Sequence, residues 1–360
     1  MVCRKKGVEM NSIKEAKMLQ QVMTKPGEIS FREIDIPKPQ KGEVLIRMLR
    51  IGVCGSDIHV YHGKHPYTKY PVTQGHEVAG EIAEIGPEVS KFKIGDLVTI
   101  QPQIVCGSCY PCTHGRYNIC DNLKVMGFQA TGMASEYFKC EENKVLKLPK
   151  GMDADQGAMV EPAAVASHAV GMAGDVKDKK VLVLGAGPVG NLVAQTCKAL
   201  GASSAMIADL SHYRLEIAKE VGIDFIIDPS NENVSEEIIK AFGPDKADVI
   251  LECVGAQQTI DLAIEIARKG TRIVIVGVFG EKPRVDLGLV QDRELQLVGT
   301  AMYQTRDYEQ AISLIANGKI QLKPLMSSHF PFTKYLDAYK FIDMHKDNIM
   351  KIFIDIDRKE

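Results

Sequence analysis

The stretch VLVLGAGPVG, residues Val181–Gly190, decides the fold of this chain. Its four apolar residues predict a buried strand, and the proline four residues after them is tolerated in the first turn of a helix. The first glycine permits a tight turn, the second lets the backbone approach a pyrophosphate, and the third lets helix and strand pack closely. The predicted cofactor-binding residues of this turn are Gly185, Gly187, Pro188, Val189 and Gly190. The stretch therefore predicts a dinucleotide-binding unit.

A carboxylate beyond this unit predicts which dinucleotide binds. Asp209 closes the next predicted strand, 19 residues after Gly190 (209 − 190). A carboxylate at that place accepts both ribose hydroxyls of NAD and repels the additional phosphate of NADP. Arg214, on the following helix, can still reach the same ribose. The alternative interpretation is that Asp209 caps a helix or ends a strand in solvent. We expect NAD as the cofactor.

Strands and helices alternate on both sides of the glycine-rich turn. The predicted helices are Pro188–Leu200, Arg214–Val221 and Gln257–Ala267, and the predicted strands are Met206–Ala208, Phe225–Ile227, Val249–Cys253 and Ile273–Val276. This alternation is typical of a doubly wound parallel sheet in an α/β fold. We expect this Rossmann cofactor-binding domain to span residues 158–300.

The flanking sequence predicts a second, β-rich domain. From Ala16 to about Arg50, short apolar runs alternate with turn signals, which indicates short strands. The imperfect alternation in Val44–Leu49 allows burial on both faces. We expect this β-rich domain to be made of residues 16–157 and 301–360, with a helix at Tyr308–Ala316 and a strand at Met350–Ile356.

Four cysteines form a compact motif near the middle of the β-rich part. Cys106, Cys109, Cys112 and Cys120 have the spacing C-x2-C-x2-C-x7-C within a loop rich in glycine and proline, at about residues 102–122. Four thiolates at short spacing can enclose a zinc ion with no open position, which makes the site structural. Two disulfides or four free thiols are the alternatives, and a reducing compartment argues against the disulfides.

A second ligand set comes from three separate stretches. Cys54 lies in CGSDIH, His76 and Glu77 are adjacent, and Glu161 lies in VEP. One thiolate, one imidazole and one carboxylate suit a catalytic zinc with an open position. The two glutamates compete for the inner position, because binding both would leave the centre net negative and weaken it as a Lewis acid. Taken singly, Cys54 and His76 could also be ordinary core residues.

The sequence around these residues resembles the zinc-containing medium-chain alcohol dehydrogenases. GHEVAGEIAEIGPEV, residues Gly75–Val89, fits the pattern G-H-E-x2-G-x5-G-x2-V at every fixed position, and the resemblance extends from about Met18 to the C-terminus. It implies a GroES-like catalytic domain and a homo-oligomer, either dimer or tetramer. Glu161, where many alcohol dehydrogenases have a second cysteine, is similar to the sorbitol, polyol and threonine branches. The chain departs from sorbitol dehydrogenases at Ala301–Gln304, where many of them have an Arg-Tyr pair.

The resemblance also implies a proton path at Ser56 and His59. An alcohol must lose its proton before hydride can leave, and in the resembled family a hydroxyl at the position of Ser56 receives it. The proton then passes through the cofactor ribose to the imidazole at His59, whose ordinary pKa suits a shuttle near neutral pH. Alternatively, Ser56 caps a turn and His59 lies on a helix surface. His62 and His65, in a loop rich in turn residues, are assigned no role.

Composition limits the other classes of function. A net charge of −2 provides no basic surface for nucleic acid, and no segment approaches the roughly 20 apolar residues of a membrane helix. We expect a cytoplasmic protein, and Met10 could be its true start because no structural pattern precedes it. Cys140, Cys197 and Cys253 are expected to be packed thiols, and Cys3 to belong to a tail.

These observations lead to one leading hypothesis and two others. The chain is expected to be a zinc-dependent dehydrogenase that transfers a hydride from a secondary alcohol, of a polyol or sugar-like compound, to NAD and produces a ketone. An L-threonine, amino-alcohol or diol dehydrogenase is the alternative among enzymes. From another class, a non-catalytic NAD-binding sensor would share the fold, but it needs neither the ligand set nor the proton path.

Overall fold

The computed structural model describes residues 17–357, which form one six-stranded sheet, one seven-stranded sheet and two small two-stranded sheets, with helices packed on the larger ones. The strands are β1 (Lys17–Lys25), β2 (Glu28–Asp35), β3 (Glu43–Val53), β4 (Glu77–Ile85), β5 (Leu97–Ile100), β6 (Gln103–Ile104), β7 (Lys124–Val125), β8 (Tyr137–Glu141), β9 (Val145–Lys147), β10 (Lys180–Leu184), β11 (Ser204–Ala208), β12 (Phe225–Ile227), β13 (Val249–Glu252), β14 (Arg272–Ile275), β15 (Gln296–Gly299), β16 (Met326–Pro331) and β17 (Lys351–Asp355). The helices are α1 (Gly55–Tyr61), α2 (Tyr110–Thr113), α3 (Ala154–Ala158), α4 (Val160–Ala173), α5 (Pro188–Ala199), α6 (His212–Glu220), α7 (Val234–Phe242), α8 (Gln257–Ile266), α9 (Leu287–Asp292), α10 (Thr305–Ala316) and α11 (Tyr335–His345).

The glycine-rich turn lies in a six-stranded parallel sheet with the order β12-β11-β10-β13-β14-β15. The central strand β10 pairs with β11 on one side and with β13 on the other, so the strand order reverses next to it. In open sheets of this kind, ligands bind at the carboxyl ends of the strands where the order reverses. The predicted doubly wound α/β fold is confirmed, and the turn after β10 lies at this reversal.

The second sheet has seven strands and combines distant parts of the chain. Its order is β16-β17-β3-β4-β5-β9, and β8 also pairs with β3. Strand β17 runs antiparallel to β3, with Ile352 opposite Val53. Almost every residue of β3 is buried, in agreement with the imperfect alternation seen in Val44–Leu49. The chain therefore leaves the parallel sheet after β15 and returns to the sheet that contains β3.

Differences between the predicted and observed elements are small and have local causes. Helix α6 begins at His212 rather than Arg214, because the Ser211 hydroxyl caps it by accepting a hydrogen bond from the Arg214 backbone N–H at 3.3 Å. Helix α7 was not predicted, although Val234, Ile238 and Phe242 bury one face at helical spacing. Among the helices between residues 17 and 357, none has the length and apolar character needed to cross a membrane. The expected start at Met10 lies outside the described residues.

Candidate active site

Cys54 lies at the junction of β3 and α1. It is the N-cap residue of α1, and its backbone N–H donates to Asp57 Oδ2 at 3.0 Å. Asp57 is itself buried, and its Oδ1 accepts a hydrogen bond from Gln74 Nε2 at 3.3 Å. The capping interaction fixes the backbone of Cys54 at the helix start. Ser56 and His59 follow on α1, one helical turn apart, with Ser56 half-buried and His59 exposed.

Strand β4 brings the second and third potential ligands to Cys54. His76 is 4% exposed and Glu77 is 1% exposed, and potential ligand atoms of Cys54, His76 and Glu77 all lie within 4.8 Å of one another. A thiol, an imidazole and a carboxylate at this separation match the mixed donors that zinc accepts. The structure therefore brings together three of the four predicted ligands of the open site.

The surroundings of His76 favour a positive charge at this point. Its Nδ1 lies 3.5 Å from Asp57 Oδ1 and makes no hydrogen bond, and its ring packs against Phe128 at a centroid distance of 4.8 Å. Burial opposes protonation, but the Asp57 carboxylate and the Cys54 thiol outweigh it and raise the pKa of His76 well above its usual range. A metal cation would supply the same positive charge with the imidazole neutral, so these residues fit a metal ion.

Glu77 is neutralised by a cation from the other end of the chain. Lys351 Nζ lies 2.7 and 2.8 Å from the two carboxylate oxygens of Glu77 and also donates to the Val53 carbonyl at 3.2 Å. Lys351 is only 4% exposed. Burial would lower the pKa of Lys351, but the charges of Glu77 and Cys54 raise it, so the ammonium form is favoured. No local sequence pattern indicates this pair, because the partners are 274 residues apart.

Glu161 occupies a separate position at the start of α4. It is not part of the compact set of Cys54, His76 and Glu77. Its Oε1 accepts a hydrogen bond from the Tyr303 hydroxyl at 2.6 Å, and both side chains are buried. Burial, and then the negative charge of Glu77, raise the pKa of Glu161 to about 7, although His76 opposes the shift. Glu161 is thus close enough to the ligand set for the charges of that set to shift its pKa, and the Tyr303 hydroxyl orients the Glu161 carboxylate.

The four-cysteine lobe also has the geometry of a metal site. The Sγ atoms of Cys106, Cys109, Cys112 and Cys120 lie within 4.8 Å of one another, and no cysteine between residues 17 and 357 forms a disulfide. Backbone N–H groups of Cys106 and Asn122 each lie 3.3 Å from the Cys120 sulfur. Backbone N–H donors at Ser108 and Cys109 lower the pKa of Cys106 to about 5. Thiols this close cannot all ionise without a cation between them, which fits zinc.

The glycine-rich turn has the expected local structure. Gly185 has φ +102°, and a Cβ atom on Gly190 would lie 1.8 Å from the Gly185 carbonyl oxygen, so both positions require glycine. Gly187 has more space, since a Cβ atom there would meet only Arg214 Nη1 at 4.0 Å. Pro188 begins helix α5 and Val189 is half-buried behind it. The turn can therefore approach a pyrophosphate closely at Gly187.

Asp209 and Arg214 lie on either side of this turn. Asp209 Oδ2 accepts a hydrogen bond from the Ala186 N–H at 2.6 Å, and its Oδ1 accepts one from the Ser211 N–H at 2.8 Å. The carboxylate is therefore fixed beside the turn rather than free in solvent. Arg214 Nη2 donates to the Lys346 carbonyl at 2.7 Å, which holds the guanidinium near Gly187.

Several residues lie near the site although no local sequence pattern predicts their position. His65, which was assigned no role, stacks on Phe128 at a centroid distance of 4.8 Å, and Phe128 in turn contacts His76. Burial lowers the pKa of His65, and the charge of His59 adds to this shift. His62 instead pairs with Asp343 on the surface. His65 and Phe128 therefore lie next to the ligand set, through the contact of Phe128 with His76. This placement depends on the fold and has no local sequence pattern.

Comparison with known proteins agrees with this geometry. Residues 40–150 match the alcohol dehydrogenase GroES-like domain, and residues 188–317 match the zinc-binding dehydrogenase family. The chain is 34% identical to L-threonine 3-dehydrogenase from Pyrococcus horikoshii, covering 91% of this chain and 95% of that protein. It is 36% identical to sorbitol dehydrogenase from Halalkalibacterium halodurans, covering 88% and 93%. A crystal structure of short chain alcohol dehydrogenase from Escherichia coli CFT073, complexed with NADH, superposes with a TM-score of 0.87 at 30% identity, covering 94% and 99%.

Proposed function

The chain belongs to the zinc-binding alcohol dehydrogenase family, and we propose that it transfers a hydride from a secondary alcohol of a polyol or sugar-like compound to NAD. The observation that carries this proposal is the meeting of Cys54, His76 and Glu77 within 4.8 Å. A dinucleotide-binding protein without catalysis would need no such ligand set. The sorbitol dehydrogenase relative and Glu161 support a polyol, and the L-threonine dehydrogenase relative supports an amino alcohol as the second candidate.

Each part of the site has a proposed task. Cys54 and His76 would hold zinc together with one of the two glutamates, and zinc would supply a Lewis acid that favours loss of the alcohol proton. Glu77 is already bound on both oxygens by Lys351, which favours Glu161 as the carboxylate that exchanges with water or substrate. NAD would supply the hydride acceptor.

Proton removal is assigned to α1. Ser56 is half-buried and would take the proton from the substrate hydroxyl, while the exposed His59 would pass it to solvent. The half-buried and exposed ends of the path are one helical turn apart on α1. Asp209 would bind NAD by its adenosine ribose, and its like charge would disfavour NADP.

The remaining assignments follow the resemblance and the strand pairing. We propose a catalytic part formed by residues 16–157 and 301–360 around a cofactor domain at 158–300. Two zinc ions per chain are proposed, one in the open site and one in the four-cysteine lobe. A cytoplasmic homo-oligomer is proposed from the resemblance, and light scattering of the purified protein tests the assembly.

The deciding experiment is a substrate panel. The zinc-loaded protein is mixed with NAD and with sorbitol, other polyols, inositols, diols or L-threonine, and formation of the reduced cofactor is followed by absorbance. We expect steady turnover with at least one polyol and a weaker response to threonine. Faster turnover with threonine would favour the second candidate. No turnover with any alcohol, in a protein that binds NAD and zinc, would support the sensor hypothesis instead.

A further inference from the structure

A buried polar network joins the four-cysteine lobe to the segment that follows the parallel sheet. Gln304 Nε2 donates to the Gly115 carbonyl at 2.7 Å and to Asn118 Oδ1 at 2.9 Å. Gly115 and Asn118 both lie between the third and fourth cysteines of the lobe. Gln304 is 7% exposed and Asn118 is 5% exposed. The conformation of the lobe therefore determines whether the amide of Gln304 finds its partners.

The same segment is bound to the helix that carries Glu161. Asp307 Oδ2 accepts hydrogen bonds from the Gln304 N–H at 2.7 Å and from His168 Nδ1 at 2.8 Å. His168 lies on α4, two turns after Glu161, and Asn118 Nδ2 lies 3.3 Å from its other ring nitrogen. The lobe, the segment after the parallel sheet and α4 thus share one set of buried hydrogen bonds.

Tyr303, next to Gln304, connects this network to Glu161. Its hydroxyl donates to Glu161 Oε1 at 2.6 Å, and its carbonyl accepts a hydrogen bond from Gln103 Nε2 at 3.0 Å. Tyr303 is fully buried and packs edge-on against Tyr308 at a centroid distance of 5.1 Å. Its backbone and its hydroxyl are therefore both fixed. Since the two residues are adjacent in the chain, displacement of Gln304 would strain these Tyr303 contacts, including the hydrogen bond that orients Glu161.

We infer that the four-cysteine lobe sets the position of Glu161 through Gln304 and Tyr303, which act as positioning residues. This inference rests on the proposed role of Glu161 at the open site. The physical reason is that a buried polar group left without a partner is unfavourable, so connected buried groups change position together. The lobe then contributes to retention of metal at the open site as well as to stability.

The first test is the rate at which zinc leaves the open site. Purified zinc-loaded protein is mixed with a colorimetric chelator, and the fast phase of zinc release is assigned to the open site. Tyr303→Phe removes one hydroxyl and should accelerate the fast phase by about 10-fold, since partners that orient metal ligands have effects of this size. The slow phase, from the lobe, should not change.

Tyr308→Phe is the matched control for this test. It removes the same atom from a neighbouring, equally buried tyrosine, whose hydroxyl donates to the Ile100 carbonyl at 3.4 Å instead of to Glu161. Its fast phase should rise much less than that of Tyr303→Phe, because the hydrogen bond to Glu161 is kept. Equal acceleration by both variants would show a general loosening of the structure and would overturn the positioning role of Tyr303. No acceleration by Tyr303→Phe would overturn it as well.

The second test is the connection to the lobe. Gln304→Met keeps the side-chain length but removes both hydrogen bonds, and should accelerate the fast phase by roughly 2- to 10-fold. The double variant with Tyr303→Phe should be no faster than Tyr303→Phe alone, because both changes act on the same path. Thr113→Ala, which removes a hydroxyl bonded only within the lobe, should have no effect.

Two results would contradict the shared path. If the effects of Gln304→Met and Tyr303→Phe multiply in the double variant, the two residues act independently. If Gln304→Met leaves the fast phase unchanged, the lobe has no influence on the open site. Should Gln304→Met not fold, Asn118→Ala removes an acceptor of the same amide and is judged by the same criteria. Zinc release needs no alcohol, so these results are separate from whether the substrate panel succeeds.

Discussion

The two candidate metal sites are built in opposite ways. The lobe takes four identical ligands from Cys106–Cys120, at the surface of the protein. Backbone N–H groups lower the pKa of one of its thiols, that of Cys106. The open site takes different ligands from the end of β3 and the start of β4, with His76 and Glu77 buried and Cys54 half-buried. Side chains from remote segments complete it: Lys351 balances the charge of Glu77, and the Tyr303 hydroxyl donates a hydrogen bond to Glu161.

The difference in ligand number and origin determines which of the two sites can bind a substrate. Four thiolates close a zinc coordination shell, so the lobe has no position for a substrate. The open site has fewer ligands, which leaves a coordination position for substrate. Its buried charged side chains, however, depend on partners that are distant in the sequence. The open site should therefore be more sensitive to single changes than the lobe.

Metal removal is the test with the largest expected effect. Mild chelator treatment should empty the open site first and abolish turnover, while circular dichroism shows an unchanged fold. Prolonged treatment should then empty the lobe and lower the melting temperature. Metal content, activity and melting temperature are measured on the same samples. Metal analysis that found one zinc ion per chain, with the lobe cysteines reduced and metal-free, would break the comparison.

Lys351→Met is expected to have the next largest effect. It leaves the Glu77 carboxylate buried without its cation, and loss of one partner of a buried ion pair costs about 3–5 kcal/mol in the free energy of unfolding. Denaturant unfolding measures this change. Adding Glu77→Gln to the variant should recover most of the stability, because the unpaired charge is then absent. A single variant as stable as the unchanged protein would show that the pair contributes little.

Glu161→Ala tests whether turnover at the open site depends on a single carboxylate. It removes a carboxylate beside the ligand set and should reduce kcat by about 10–100-fold, with little change in NAD affinity. Steady-state kinetics with the best alcohol of the panel and a binding titration with NAD measure the two effects. Unchanged turnover would remove Glu161 from the site.

Asp209→Ser has the smallest expected effect on either metal site. The carboxylate makes charged hydrogen bonds of about 1.5–3 kcal/mol each, so its loss should weaken the binding of NAD. The preference for NAD over NADP should become smaller, chiefly through the KM for each cofactor. The catalytic efficiency with each cofactor is compared, and zinc release serves as the control. An unchanged cofactor preference would remove Asp209 from its assigned role.

Sequence patterns predicted features that depend on local spacing. The four cysteines and the three glycines of the turn are close together in the chain, and their geometry follows from their separation. The partner of Glu161 could not be predicted in the same way, because Tyr303 is 142 residues away. The fragment Ala301–Gln304 was noticed only as a departure from the resembled family, yet two of its residues form the buried network.

The burial of ionisable groups was equally hard to foresee. Lys351 appears in the sequence as one lysine of a predicted strand, and lysines are usually exposed. Its burial depends on the pairing of β17 with β3, which no local pattern encodes. His65 appeared to be a solvated loop residue, and its stacking on Phe128 depends on how two loops meet.

The late position of β17 has a consequence for biosynthesis. A chain emerging from the ribosome presents all four cysteines of the lobe long before it presents Lys351. Until β17 is added, Glu77 has no ammonium partner, and its burial beside Cys54 and His76 is unfavourable. Nascent chains should therefore acquire lobe zinc early, and they should keep the region around β3 accessible to chaperones until β17 has emerged.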